Sequence, residues 1–200
     1  MILMAAEKFA PFECMIGSTV LQVVLGDIAY QNVDAVVNAA RNNLGGGGGV
    51  DGAIHEAAGV EELQAACREI GYCATGNAVI TPGFNLKARF IVHTVGPKYI
   101  EGPVNKLGQR YNRKAPRLLS SCYRRSLVVA AEHGVRSIAF PAISTGAFNY
   151  PADRATKVAV VAVRDFVSHN PETFCEIRFV AFDDDMFAIY KRTLREHGLS

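Results

Sequence analysis

Hydrophobic residues along this chain recur with two periods, and the two kinds of stretch alternate. Short β-branched, apolar runs predict strands, and longer runs with apolar residues three and four positions apart predict amphipathic helices. The predicted strands are residues 18–25, 34–38, 77–81, 88–94, 137–140 and 175–182. The predicted helices are residues 50–70 with an interruption at Gly59, then 116–133, 153–169 and 184–197. This alternation is typical of an α/β domain with a largely parallel sheet.

One pair of predicted strands departs from the alternation. Pro82-Gly83-Phe84-Asn85 lies between strands 77–81 and 88–94 and is typical of a turn. We therefore expect an antiparallel hairpin there, which makes the sheet mixed. In such sheets ligands bind outside the carboxyl ends of the strands, so the loops that follow the strands are the first candidates for chemistry.

Composition indicates one globular domain. The 200 residues are 50% hydrophobic and 20% charged, which excludes a disordered tail, and the net charge of +2 gives no sign of general nucleic-acid binding. No apolar run approaches the ~20 residues of a membrane span, and the first residues lack the pattern of a signal peptide. The five scattered cysteines fit free thiols, so we expect a cytoplasmic protein without a membrane partner.

The glycine loop, defined here as Gly45 to Gly49, precedes the helix that begins near Val50. Glycine lets backbone N–H groups approach a phosphate, and a helix N-terminus favours an anion. A flexible linker would not require the immediate change to helical periodicity. The loop starts too far from its strand for a dinucleotide fingerprint, and no P-loop lysine follows. Gly59 also replaces the second histidine of a zinc motif begun by His55, so we expect no metal.

A second loop, Ser144-Thr145-Gly146-Ala147-Phe148, also follows a predicted strand and precedes a helix. It offers hydroxyl groups, backbone N–H groups and one aromatic ring. Taken alone, it is equally typical of an ordinary connection. Together, the two loops could clasp a diphosphate, which favours a nucleotide ligand.

Four further side chains near strand ends have a structural and a functional interpretation. Asp27 either accepts a hydrogen bond from an adenine amino group or caps a helix. Phe182 either stacks on a base or packs in the core. Asp51 either caps its helix or activates a water, and we interpret His93 as a structural histidine rather than a ligand.

Several motifs occur in order along most of the chain. They are GDI at 26–28, VNAA at 37–40, GGGGVDGAIH at 46–55, AAG at 57–59, TGxAxxTxG at 75–83, IxHTVGP at 91–97, CYRxSL at 122–127 and ISTGxFxYP at 143–151. Together they resemble the macrodomain family, the ADP-ribose-binding module, and most closely its MacroD-type hydrolase branch. We therefore interpret residues 18–200 as a macrodomain and residues 1–17 as an N-terminal extension, either an added strand or a tag remnant.

The resemblance implies a three-layer α/β/α sandwich around a mixed sheet, with ADP-ribose in a cleft at the strand ends. It implies Asp27 and Ile28 beside the adenine and Phe182 stacked on it. It implies a diphosphate held by the backbone of two groups of residues: Gly47, Gly48, Gly49 and Val50 in one, and Ser144, Thr145, Gly146, Ala147 and Phe148 in the other.

The resemblance also implies a reaction at the distal ribose, the one remote from adenine. Asn38, Asp51 and Phe148 would surround this ribose, and Asp51 would activate or orient the attacking water. The products would be ADP-ribose released from acidic side chains, or acetate from O-acetyl-ADP-ribose. Neither a cofactor nor a metal is implied. The expected partners are ADP-ribose, ADP-ribosylated proteins and O-acetyl-ADP-ribose, and we expect a monomer.

Arg41 departs from the family motif Asn-Ala-Ala-Asn, whose second asparagine positions the distal ribose. Arg41 either pairs with Asp51, which would keep the carboxylate ionised but spoil its role, or contacts a phosphate, or points to solvent while Asn42 substitutes. Two functions therefore stay open: a hydrolase, and a reader that binds ADP-ribose without turnover. The role of His55, one helical turn after Asp51, is left open too.

The segment 98–117 is basic and contains Lys98, Lys106, Arg110, Arg113 and Lys114. We interpret it as a solvated surface loop. The alternative is a site for RNA or for another protein, whose binding would weaken with salt.

Overall fold

The structure is a computed structural model that describes residues 10–99 and 114–199. Its strands are β1 (Phe12–Ile16), β2 (Thr19–Leu25), β3 (Ala35–Ala39), β4 (Ala78–Pro82), β5 (Phe90–Thr94), β6 (Ser137–Pro141) and β7 (Glu176–Ala181). Its helices are α1 (Val50–Ala58), α2 (Val60–Ile70), α3 (Ala115–Glu132), α4 (Ala152–His169) and α5 (Asp184–Glu196). Every predicted strand and helix is present, with its ends shifted by at most two residues.

The seven strands form one mixed sheet in the order β1-β2-β7-β6-β3-β5-β4. The five inner strands are parallel, and β1 and β4 at the two edges are antiparallel to their neighbours. The β4–β5 pair is the predicted hairpin. β1 pairs with β2 from Phe12 to Ile16, so this part of the N-terminal extension is an added strand. Residues 1–9 of the extension lie outside the described residues.

Helices cover both faces of the sheet and make the three layers. On one face α3, α4 and α5 contribute buried residues such as Leu119, Val163 and Tyr190. On the other face α1 and α2 contribute Ile54 and Leu63. Because both faces are covered, the inner strands are mostly apolar, and β3 is buried at four of its five positions. The α/β/α sandwich expected from the sequence is confirmed.

The parallel arrangement decides where the loops meet. The carboxyl ends of β2, β7, β6, β3 and β5 lie at one edge of the sheet, as in other α/β sheets with ligands at that edge. The glycine loop follows β3, and the loop 142–150 follows β6. None of the helices in the described part of the chain is both long and apolar enough to span a membrane.

Candidate functional site

A cleft of about 370 Å³ opens at the carboxyl ends of the parallel strands. One wall is the glycine loop with the start of α1, and the other is the loop after β6. The lining residues are Ala39, Ala40, Arg41, Gly47, Gly48, Gly49, Val50, Asp51, Gly96, Ala142, Ser144, Gly146, Ala147 and Phe148. The two loops that the sequence suggested as a diphosphate clasp therefore line one cavity.

The glycine loop leaves the N-terminus of α1 free for an anion. Gly46 and Gly49 have φ of 78° and 60°, a left-handed conformation that glycine adopts without strain. Gly49 is the N-cap of α1, and within residues 10–99 and 114–199 no side chain caps the helix. The first N–H groups of a helix have no partner within it, so here they are available to a bound phosphate.

The loop after β6 approaches the end of β5 closely. A Cβ at Gly96 would collide with the Ser144 hydroxyl, so only glycine allows this approach. Thr145 is not among the residues that line the cleft, and its hydroxyl donates to the Ala142 carbonyl at 2.8 Å. The Phe148 ring lies in the cleft wall with the Lys98 ammonium 5.7 Å from its centroid.

A buried polar cluster, comprising Asn38, Asp51, His55, His93 and Thr81, lies at the inner end of the cleft. The Asn38 amide nitrogen is 2.7 Å from Asp51 Oδ1 and 3.1 Å from His93 Nδ1. His55 Nδ1 is 3.2 Å from Asp51 Oδ1 and 2.8 Å from the Asp51 carbonyl oxygen. His93 Nε2 is 2.9 Å from the Thr81 hydroxyl. Asp51 thus bonds to side chains of this cluster, and its interpretation as a helix cap is wrong.

The charges of this cluster are coupled. Burial acts to raise the pKa of Asp51, but hydrogen bonds from His55 and Asn38 outweigh it and hold the pKa below its usual value. The bond to Asp51 raises the pKa of His55. Burial, followed by the charge on His55, lowers the pKa of His93 to about 4. At neutral pH the cluster therefore holds an ionised Asp51, a protonated His55 and a neutral His93.

Among the described residues, two oxygen atoms of the cluster are buried without a hydrogen-bond partner: Asn38 Oδ1 and Asp51 Oδ2. Asp51 Oδ2 lies 3.2 Å from the position a Cβ would take at Gly47, in the cleft lining. This carboxylate oxygen is therefore the atom best placed to meet a water or a ligand hydroxyl. Within residues 10–99 and 114–199, no group of three or more His, Cys, Asp or Glu side chains could hold a metal ion.

Arg41 also reaches the cleft. The Arg41 Nε atom lies 3.2 Å from the position that a Cβ would take at Gly47. Among the described residues, however, no ion pair joins Arg41 to Asp51. Asn42 does not substitute for the missing asparagine. Its side-chain nitrogen donates to the Cys73 carbonyl at 2.9 Å and to the Thr75 hydroxyl at 3.3 Å, so that interpretation is wrong.

The ends of β2 and β7 form a second, open part of the site. The Gly26 N–H donates to the Ala181 carbonyl, which brings Asp27 and Phe182 to the same edge of the sheet. Asp27 Oδ1 accepts from the Ala29 N–H at 2.9 Å and so caps a 3-10 turn. The Ile28 side chain packs in the core, and Phe182 is 82% exposed, so core packing of Phe182 is ruled out.

Of the basic segment 98–117, the structure describes residues 98–99 and 114–117. Lys106, Arg110 and Arg113 lie outside the described residues. Arg117 lines a groove of about 750 Å³ between α3 and α4, together with Arg124, Arg125 and Lys157. Among the described lining residues there is no aromatic ring on which a base could stack.

The sequence interpretation missed four small residues that line the cleft: Ala39, Ala40, Gly96 and Ala142. All lie where a parallel strand ends or just beyond, and that position was the available signal. It also missed the bond between His93 and Asn38, since the two are distant in sequence.

Comparison with known proteins places the chain among proteins of similar sequence and fold. A family model described as Macro domain matches residues 37–159. The O-acetyl-ADP-ribose deacetylase of Cronobacter sakazakii is 44% identical over 181 residues, which cover 88% of this chain and 94% of that protein. The ADP-ribose glycohydrolase MACROD2 of Xenopus laevis is 46% identical over 171 residues, which cover 86% of this chain but 39% of that protein.

Solved structures agree with the sequence comparison. A variant of the Oceanobacillus iheyensis macrodomain, solved with ADPR, superposes with a TM-score of 0.85 at 36% sequence identity. The match covers 94% of this chain and 98% of that chain.

Proposed function

This chain belongs to the macrodomain family, and on that premise we propose that it binds ADP-ribose and hydrolyses ADP-ribosyl esters. The substrates are mono-ADP-ribose on acidic side chains of proteins and O-acetyl-ADP-ribose, and the chain acts as a monomer. The observation that carries the proposal is the geometry of Asp51. One of its oxygens is held by Asn38 and His55, and the other is unpartnered beside the cleft.

The ligand lies along the cleft from its open part to the buried cluster. Adenine stacks on the exposed Phe182 ring, with the free oxygen of Asp27 close by. The diphosphate meets the uncapped N-terminus of α1 and the backbone of the loop after β6, where N–H groups suit an anion. The distal ribose then reaches Asp51, Asn38 and Phe148.

The reaction adds one water across the ester bond. Asp51 orients the water and accepts its proton as the water oxygen bonds to the acyl carbon of the ester. The bond between that carbon and the ribose oxygen breaks, and a proton passes to the ribose oxygen. The products are ADP-ribose, the free carboxylate and one proton. Asn38 and His55 hold the first Asp51 oxygen, which keeps the second aimed at the water.

The test is release of ADP-ribose from a protein that carries mono-ADP-ribose on glutamate, and of acetate from O-acetyl-ADP-ribose. Asp51→Ala is expected to slow release by at least about 100-fold, the scale of general-base catalysis, while calorimetry still detects ADP-ribose binding. Asp165→Ala, an exposed carboxylate on α4, is the matched control and keeps full activity. A wild-type protein that releases product from neither substrate refutes the hydrolase.

The second candidate is a reader, and Arg41 is the observation that favours it. The Arg41 guanidinium lines the same cleft, and its Nε and Asp51 Oδ2 each lie 3.2 Å from the position that a Cβ would take at Gly47, so a cation stands near the carboxylate that must accept a proton. A reader binds ADP-ribose and forms no product on long incubation. Arg41→Asn restores release if Arg41 is the reason, whereas Arg41→Lys, which keeps the charge, does not. Turnover by the wild type, unchanged in Arg41→Asn, excludes this role.

A further inference from the structure

The buried polar cluster continues beyond Asn38 to two side chains behind the cleft, His93 and Thr81. His93 is fully buried and Thr81 is 3% exposed, and neither lines the cleft. In the sheet, Asn38 on β3 is the registered partner of His93 on β5. Thr81 on β4 is two residues from Val79, the partner of His93, so all three side chains share one face.

The ionised Asp51 favours one orientation of the Asn38 amide. Its Oδ1 is 2.7 Å from the amide group, and a turned amide would place oxygen against carboxylate oxygen. The NH₂ group therefore faces Asp51, and its second hydrogen points to His93 Nδ1 at 3.1 Å. That nitrogen must be unprotonated to accept it. The ring proton is then on Nε2, which donates to the Thr81 hydroxyl at 2.9 Å.

We propose that His93 and Thr81 are positioning residues that fix the Asn38 amide so that its Oδ1 accepts a hydroxyl of the distal ribose. Both N–H groups of Asn38 are taken by Asp51 and His93, and Oδ1 is the atom left unpartnered. If the proton of His93 were on Nδ1, two N–H groups would face each other and the amide would turn or withdraw. In the required tautomer Nε2 donates to the Thr81 hydroxyl oxygen, and this bond stabilises that tautomer. This inference rests on the proposed ADP-ribose site.

The test compares Thr81→Val, which has nearly the same shape but no hydroxyl, with Thr81→Ser, which keeps the hydroxyl. Thr156→Val is the control for removing a buried hydroxyl elsewhere, since Thr156 is fully buried on α4. Calorimetry measures binding of ADP-ribose and of ADP, which lacks the distal ribose. Thr81→Val is expected to weaken ADP-ribose binding about three- to tenfold, the value of one hydrogen bond, and to leave ADP unchanged. Thr81→Ser and Thr156→Val are expected to keep the wild-type ratio of ADP-ribose affinity to ADP affinity.

Nitrogen chemical shifts of the His93 ring give an independent measurement. In the wild type they are expected to show a neutral ring with the proton on Nε2, and in Thr81→Val a mixture of both tautomers. A wild-type ring protonated on Nδ1 overturns the proposal. So does a Thr81→Val protein whose ratio of ADP-ribose to ADP affinity is unchanged.

If Thr81→Val does not fold, a second pair of variants at His93 tests the same proposal. His93→Gln offers Asn38 an amide oxygen, and His93→Leu offers no acceptor, so only His93→Leu is expected to lower the affinity ratio. An equal ratio in both variants contradicts the proposal. Because every arm measures binding, absence of hydrolysis would refute the proposed reaction without deciding this inference.

Discussion

The two ends of the cleft are built in opposite ways. At the inner end, Asn38 is fully buried and Asp51 is 5% exposed, and each is held by at least two hydrogen bonds. At the adenine end, Phe182 is 82% exposed and Asp27 is anchored through one oxygen to its own turn. Bond breaking requires donors and acceptors already in place, whereas base stacking requires only an accessible ring.

The position of each end in the sheet explains this difference. Asn38 lies on β3, an inner strand with helices on both faces, so its side chain is enclosed by α1 and by β5. Asp27 and Phe182 lie beyond the ends of β2 and β7, where, among the described residues, Asp27 is only half-buried and Phe182 is exposed.

Asn38→Ala at the buried end is compared with Asp27→Ala at the open end. The first leaves Asp51 and His93 without their shared donor, which costs about 2–3 kcal/mol and lowers Tm by roughly 5–10 °C. Asp27→Ala weakens ADP-ribose binding and, because it removes the cap of a 3-10 turn, costs only about 1 kcal/mol of stability, roughly 2–4 °C in Tm. Thermal unfolding measures Tm and calorimetry measures ADP-ribose affinity for both variants. Equal losses of Tm would contradict the expected difference between the buried and the open end.

Gly52→Ala tests how tightly the glycine loop is held against α1. A Cβ at Gly52 would lie 2.7 Å from the Gly47 carbonyl oxygen, so the loop must move. The expected cost is about 2 kcal/mol of ADP-ribose affinity, roughly thirtyfold. Gly48→Ala is the control, because a Cβ there has no neighbour within 4 Å and binding should stay near wild type. Unchanged affinity in Gly52→Ala would show that the loop adapts.

Phe182→Ala tests the open end alone. Loss of one base-stacking ring costs about 1 kcal/mol, roughly a fivefold loss of affinity for both ADP-ribose and ADP. Tm should not change, because the ring is exposed. Phe84→Ala, at another partly exposed ring, serves as the control. Equal affinity in Phe182→Ala and wild type would place the adenine elsewhere.

The smallest effect is the pH dependence of the buried cluster. The pKa of Asp51 is lowered, so its contribution to stability is present above its ordinary pKa of 3.8 and is lost as pH falls through the folded value. The pKa of His55 is raised from 6.5 to about 10, so its contribution is present below 6.5 and is lost as pH rises through the folded value. The difference in Tm between wild type and Asp51→Asn should therefore be largest from about pH 4 to 6.5. A difference independent of pH would show that the two charges do not interact.

Local sequence patterns were sufficient to predict the order of strands and helices and the two loops that line much of the cleft. Apolar periodicity predicted six strands and the helices, because burial against a layer imposes period two or 3.6 on adjacent residues. The glycine loop and the loop after β6 were found because they follow strands whose parallel pairing brings their ends together. The sequence does not distinguish β1 from a tag remnant. This edge strand buries only Cys14 and Ile16, and its pairing with β2 is visible only in the folded molecule.

Side-chain partners were decided only in the folded molecule. Asn42, adjacent to Arg41, turns away to Cys73 and Thr75, whereas Asn38 bonds to His93 from a strand 55 residues later. By itself, the sequence determined which residues become strands, helices and phosphate-binding loops, because those properties depend on neighbours along the chain. Tertiary structure decided the exposure of Phe182, the tautomer of His93 and the free oxygen of Asp51, because hydrogen bonds and burial depend on which distant segments pack together.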